Sequence, residues 1–135
     1  MPIDLEIVSP EKLLLAEPVE MVTLPAAEGE LGVLAGHAPM IVLLRGGTVR
    51  TWQGDKVVQS LYVSGGFADI TGTKVTVMAN AATPVAELSR AEATRRLEAA
   101  ESAYAATDRN DMAALTAAMD AIQSARAMME AATAA

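Results

Sequence analysis

Thr83-Pro84-Val85-Ala86-Glu87-Leu88-Ser89-Arg90-Ala91-Glu92 divides the chain into two kinds of sequence. All nine glycines lie before residue 73, and neither glycine nor proline follows Pro84. Alanine then fills 19 of the 50 positions from Ala86 to Ala135. Glycine and proline punctuate turns, whereas alanine is the strongest helix former. The division therefore predicts a β unit over residues 1–84 and an α unit over residues 85–135. Within the quoted stretch, Ser89 stands three residues before Glu92. That is the spacing of a capping box, in which each side chain serves the other's backbone N–H, so a helix is expected to start there.

Working back from the boundary, short runs of strand length recur. Ile3-Asp4-Leu5-Glu6-Ile7-Val8 alternates apolar with acidic residues until its last step. Val19 to Leu24 follows Pro18 and is expected to stop at Pro25. Thr48 to Trp52 and Lys56 to Val63 flank Gln53-Gly54-Asp55, and Phe67 to Ile70 and Lys74 to Ala79 flank Thr71-Gly72-Thr73. Both pairs read as hairpins. Many short strands with tight turns and no intervening helix indicate an antiparallel sandwich or barrel.

Working forward, Ala93, Leu97, Ala100 and Tyr104 fall on one helical stripe. Glu92 and Arg96 are spaced to pair on the surface. Thr107-Asp108-Arg109-Asn110-Asp111 offers several N-caps for a second helix. Its expected stripe is Met112, Leu115, Met119, Ile122 and Met129, with Arg126 where another apolar residue would fit. The fold class is thus α+β, a β-sandwich followed by an antiparallel helical hairpin. Alanine-rich helices bury little area each, so the hairpin is expected to be marginal alone and to need a surface to rest on.

Composition narrows the function. Of 135 residues, 52% are hydrophobic and 20% charged, which supports a packed core. That core must be aliphatic, because Trp52, Tyr62, Phe67 and Tyr104 are the only aromatic side chains of the Trp, Tyr and Phe types. The net charge of −7 is spread over both halves and argues against nucleic acid as a partner. There is no cysteine, which excludes disulfides and thiolate sites and fits a reducing compartment. Met1-Pro2-Ile3-Asp4 does not read as a signal peptide. The apolar stretch from Leu31 to Leu44 is broken by Gly32, Gly36, His37 and Pro39, so it falls short of the roughly 20 apolar residues that cross a bilayer. Any membrane association is expected to run through a partner protein.

Catalytic patterns are missing. His37 is the sole histidine, which rules out a two-histidine metal site within one chain. No phosphate-binding glycine loop occurs, and Ser64-Gly65-Gly66 reads as a bend between strands. A hydrolase would need His37 and Ser64 within hydrogen-bond reach. Glu28 and Glu30, flanking Gly29, read as a solvated loop tip suited to docking more than to catalysis.

The segment Glu28-Gly29-Glu30-Leu31-Gly32-Val33-Leu34-Ala35-Gly36-His37-Ala38-Pro39 resembles the signature loop of F-type ATP synthase epsilon subunits. Leu44-Arg45-Gly46-Gly47-Thr48-Val49 and Val63-Ser64-Gly65-Gly66-Phe67-Ala68-Asp69-Ile70 are similar to that family's next two blocks, in order and spacing. Leu5-Glu6-Ile7-Val8-Ser9-Pro10-Glu11 also fits. The resemblance implies a sandwich of about ten strands and a helical hairpin, together forming a non-catalytic central-stalk subunit without a cofactor. It implies binding to the gamma subunit and the c-subunit ring, with the loop from Glu28 to His37 at these contacts, Glu30 facing the ring and His37 the gamma subunit. It further implies a peripheral place on the cytoplasmic face of the bacterial inner membrane.

In some members the hairpin reaches the alpha/beta catalytic head and blocks ATP hydrolysis, and in some it binds ATP. The corresponding nucleotide motif is an aliphatic residue, Asp, two variable residues and Arg-Ala. Here the match is confined to Arg90 and Ala91, and the second helix offers only Arg126, with Ile122 a turn earlier. Tight ATP binding is therefore not expected. The alternative is a free-standing β-sandwich binding module with a helical dimerisation hairpin, which leaves the order of the glycine blocks unexplained.

Overall fold

The structure is a computed structural model that describes residues 2–134. Ten strands come first: β1 (Ile3–Val8), β2 (Leu13–Val19), β3 (Met21–Ala26), β4 (Gly29–Leu34), β5 (Met40–Leu44), β6 (Gly47–Gln53), β7 (Lys56–Val63), β8 (Gly66–Ile70), β9 (Lys74–Ala79) and β10 (Ala82–Pro84). A single 3₁₀ turn, Val85–Glu87, leads into α1 (Arg90–Ala106) and α2 (Met112–Ala134).

Alternation places the core. Ile3, Leu5 and Ile7 of β1 are fully buried, as are Val75 and Val77 of β9 and Ile70 of β8. Val22, Leu24, Val33 and Val49 meet them from the other strands in one aliphatic cluster. The two layers are β10-β7-β6-β3 and β5-β8-β9-β1-β2, with β4 on the free side of β3. β3 joins them: Met21, Val22 and Thr23 pair with β6, and Ala26 pairs with Leu44 of β5. All pairings are antiparallel except β1 with β9. No hairpin sets the direction of these two strands, because they are far apart in sequence, so packing sets it instead.

Both expected hairpins form, with turns at Gly54–Asp55 and Thr71–Thr73. The run expected from Val19 to Leu24 instead divides at Glu20 between two strands. Pro18 sits in β2, an edge strand, where a missing N–H costs no ladder bond. Pro25 stays inside β3 and its carbonyl accepts from Arg45 N at 2.9 Å. Gly66 shows why a glycine stands at the start of β8. Its φ is +131°, and a Cβ there would overlap the backbone of Met78 and Ala79.

Ser89 caps α1 as its spacing predicts, its hydroxyl accepting from Glu92 N at 3.2 Å. The Glu92 carboxylate turns to Arg95 and Arg96 rather than back to Ser89. Ala93 and Ala100 are buried, Leu97 and Tyr104 half-buried. Asp111 caps α2, accepting from Ala114 N at 3.1 Å. The second stripe differs from expectation: Met112 and Met119 are exposed, and Ala125, Met128 and Ala131 are buried. Alanine on every face of α2 gives no contrast from which the buried side could be read.

The hairpin rests on the outer face of β6 and β7. Tyr62, Ala93 and Met128 form a second small core there, flanked by Leu88, Ala127 and Met129. Polar bonds fix the register. The Gln123 side chain donates to Gly46 O at 2.6 Å and accepts from Gly46 N at 2.9 Å. The Tyr62 hydroxyl donates to Ser124 O at 2.6 Å, and the Ser124 hydroxyl donates to Ser64 O at 3.0 Å. A Cβ on Gly46 would lie 2.5 Å from the Ser124 Cα, so only glycine permits this approach.

Two predictions follow from these contacts. Gly66→Ala should cost roughly 2–5 kcal/mol in urea unfolding, because positive φ and overlap act together. Gly54→Ala, where φ is +63° with open space around it, should cost only about 1–2 kcal/mol. Tyr62 provides the second. Burial raises its pKa above the ordinary 10.0, against smaller lowering effects of Arg96 and the Ser124 bond. The folded state therefore holds the phenol proton more tightly than the unfolded state. The associated stability is fully present below pH 10.0 and is lost as pH rises through the higher folded value. Helix amide exchange near Ser124 should accelerate over that range, and Tyr62→Phe should remove this component of the pH dependence.

Candidate docking surface

Outward positions on the layer opposite the hairpin are not uniformly polar. On β5 the inward residues are Val42 and Leu44, and on β8 they are Ala68 and Ile70. Alternation turns Ile41 and Leu43 outward on β5, and Phe67 and Asp69 outward on β8. Leu43 is 66% exposed, Phe67 45% and Ile41 75%, well above what alternation with a solvated outer face would leave apolar.

Register lines these residues up. Leu43 is opposite Phe67 and Phe67 opposite Met78, while Val8 neighbours Met78 and pairs with Leu13. One apolar side chain from each of five adjacent strands thus forms a line across the sheet. With strands about 4.8 Å apart, the line runs roughly 19 Å. The row beside it begins with the exposed Ile41 opposite Asp69 and is polar over the next three strands: Asp69 neighbours Thr76 and Thr76 neighbours Glu6, whose carboxylate pairs with Lys74 at 3.0 Å. A narrow apolar line with a charged border is the anatomy of a protein-docking surface.

The residues singled out from sequence do not form one site. Glu28 occupies the turn between β3 and β4, while Glu30 is already in β4, so the two are not a shared loop tip. Glu30 pairs with Arg50 at 3.3 Å and keeps a half-exposed side chain. His37 lies beyond the far end of β4, its ring bonded to Ala38 O at 2.8 Å. The length of the strand between them separates Glu30 from His37 by roughly 15–20 Å. Ser64 and His37 lie beyond opposite ends of β8, so the hydrolase pairing does not form. Arg90, Ala91 and Arg126 are all exposed. Arg126 lines a groove of about 440 Å³ with Arg45, Tyr104, Gln123 and Glu130, and neither Arg90 nor Ala91 takes part in it.

The line on the sheet escapes sequence reading because its members are dispersed from Val8 to Met78 and meet only through register. One signal exists. Met40-Ile41-Val42-Leu43-Leu44 is apolar at every step in a strand with one bare face. No cluster of three or more potential metal ligands occurs among the described residues. No helix of the described residues is long and apolar enough to cross a membrane.

A sandwich with a helical pair seated on one face and an apolar line bare on the other defines a docking module. The chain belongs to the ATP synthase delta/epsilon family, whose model, described as "ATP synthase, Delta/Epsilon chain, beta-sandwich domain", matches residues 2–85. It is 63% identical over 128 residues to the ATP synthase epsilon chain of Granulibacter bethesdensis, covering 95% of each. It is 44% identical over 132 residues to that of Gluconacetobacter diazotrophicus, covering 98% of this chain and 94% of the relative. Among solved structures, a chain of the OSCP/F1/c-ring assembly of the Euglena gracilis mitochondrial ATP synthase has a TM-score of 0.78 at 27% identity. That likeness covers 96% of this chain and 81% of the other.

Proposed function

We propose that this chain is the epsilon subunit of a proton-translocating F-type ATP synthase, a non-catalytic part of the rotor. In this role it joins the gamma subunit to the ring of c subunits and turns with them in the central stalk. The observation that carries the reading is identity along nearly the whole chain, 63% over 128 residues, with a protein named ATP synthase epsilon chain. Its place would be peripheral, on the cytoplasmic face of the bacterial inner membrane, held there through the complex.

Torque transmission asks for a body that does not shear, and a closed aliphatic core with ten interlocked strands meets that need. The bare line through Leu43, Phe67 and Met78 supplies the apolar contact for gamma, and His37 marks the far end of the same side. Glu28 and Glu30 face the polar loops of the c ring, where acidic groups give orientation more than affinity. The hairpin can reach the alpha/beta head and restrain hydrolysis only after leaving its seat at Gly46 and Ser64. With Arg126 unaccompanied by a second arginine on α2, nucleotide does not hold it down tightly.

Co-purification with the cognate gamma subunit tests the reading. Wild type should form a stable complex, and so should a chain ending at Pro84, which keeps the whole sandwich. Leu43→Asp should lower gamma affinity by 1–3 kcal/mol, about the transfer free energy of the buried leucine. Because Leu43 is exposed, its unfolding free energy should stay within about 0.5 kcal/mol of wild type. Glu30→Lys should retain gamma and weaken attachment to the c ring. Failure of the full chain to bind gamma under any of these conditions would sink the rotor assignment and favour a free-standing binding module.

A further inference from the structure

Register also aligns apolar side chains on the other layer, on the face that carries the hairpin but at its opposite end. Leu34 of β4 is paired with Met21 of β3, Met21 with Trp52 of β6, and Trp52 with Val57 of β7. Their strand neighbours Val22, Val33 and Thr51 are buried, so this row points outward. Leu34 is 56% exposed and Val57 43%, while Met21 and Trp52 are half-buried. The row spans roughly 14 Å across four strands and lies about 13 Å along β6 from Thr48 and Tyr62, where the hairpin sits. Two of its side chains are held in place. The Trp52 indole donates to Thr23 Oγ1 at 3.1 Å, and the Met21 sulfur lies 3.7 Å from where a Cβ on Gly32 would be. A bulge opposite the step from Thr51 to Trp52 leaves Val58 unpaired and exposed beside the row.

The charges around this row are one-sided. Glu20 precedes Met21, Asp55 lies in the turn after Gln53, and Glu17 lines a cavity of about 340 Å³ with Glu20, Trp52 and Val58. None of these three carboxylates has an ion-pair partner among the described residues. Lys56 is the base nearest in sequence, and Arg50, in the next row, is already paired with Glu30. We infer that this row is a second docking surface, for a partner protein whose contact is an apolar helical stripe bordered by lysine or arginine. Charge selects the partner: a basic border meets Glu17, Glu20 and Asp55, which steers encounter and fixes orientation. A second copy of the chain would instead set these carboxylates against their like. Length selects the helix, because leucines at i, i+3 or i+4, and i+7 span about 10 Å and fit the row. Holding the Trp52 ring in advance lowers the ordering cost of binding. The surface lies on the layer away from the Leu43 line, so it does not depend on the rotor reading, and a partner there leaves that line free.

The test titrates the full chain with a synthetic peptide of about four helical turns carrying one leucine stripe flanked by lysines, and with the same peptide carrying glutamates instead. Trp52 is the chain's only tryptophan, so its emission reports on this surface. The lysine peptide should bind saturably with a blue shift, and the glutamate peptide about 10-fold more weakly. Leu34→Asp and Val57→Asp should each weaken the lysine peptide about 10-fold. Both side chains are exposed, so urea unfolding of these variants should stay near wild type. Leu43→Asp should bind the peptide as wild type does. An absent blue shift, or equal binding of the two peptides, overturns the inference. If Leu43→Asp weakens the peptide and Leu34→Asp does not, the peptide occupies the other layer and the inference is wrong. Self-association of the chain that Leu34→Asp abolishes assigns the row to a second copy and overturns it as well. None of these outcomes bears on gamma binding, which co-purification decides separately.

Discussion

Strand β3 belongs to both layers, and most of what lies outside the core depends on that one sharing. Its first half is paired with β6 and its last residue with β5, so the chain between β5 and β6 must turn tightly against its end. Arg45 N bonds Pro25 O there, and Gly47 lies so close to Pro25 that a Cβ would be 2.5 Å from the proline ring. Between them Gly46 is held with its peptide facing outward, where Gln123 takes both its N–H and its carbonyl. A junction needed to close the sandwich is therefore also the seat of α2. The hairpin's position is inherited from sheet topology rather than from any strong affinity of its alanine-rich helices.

Much of the fold was legible because alternation is clean where one face is buried and the other wet. β1 and β9 read correctly for that reason, and Gly54 and Gly72 marked the two hairpin turns. β2 was missed because it is an edge strand, Leu13-Leu14-Leu15 having no strict inward and outward alternation. β4 was missed because its two glycines and terminal leucine hide the period. β5 was missed for a more informative reason. Its outward residues are apolar, so the feature that makes it a docking strand also erased the signal that would have identified it as a strand.

Helix positions divide along similar lines. Ser89 and Asp111 act through local spacing, which a sequence states directly. The buried side of α2 does not, because Ala125 and Ala131 are indistinguishable from the alanines facing solvent. The methionines at 112 and 119 were expected to fill the helical interface, and they instead look outward. The order of the glycine blocks carried family membership, which composition and periodicity alone could not have supplied. Those cues also could not bring Leu13, Val8, Met78, Phe67 and Leu43 into line, since that alignment is a product of register.

The parallel pairing of β1 with β9 has a consequence for biosynthesis. Asp4 is matched with Lys74 and Val8 with Met78, so the first strand made waits for nearly the last. At about 5–20 residues per second, a ribosome takes roughly 4–14 s to deliver that partner. During this interval β1 and β2 can form only a two-stranded ribbon with a free edge, and the aliphatic halves of the core are open to water. A nascent chain of this design is therefore exposed to aggregation until residue 79 emerges, after which closure is all-or-none. The hairpin, which needs Gly46, Tyr62 and Ser64 already in place, can settle only afterwards.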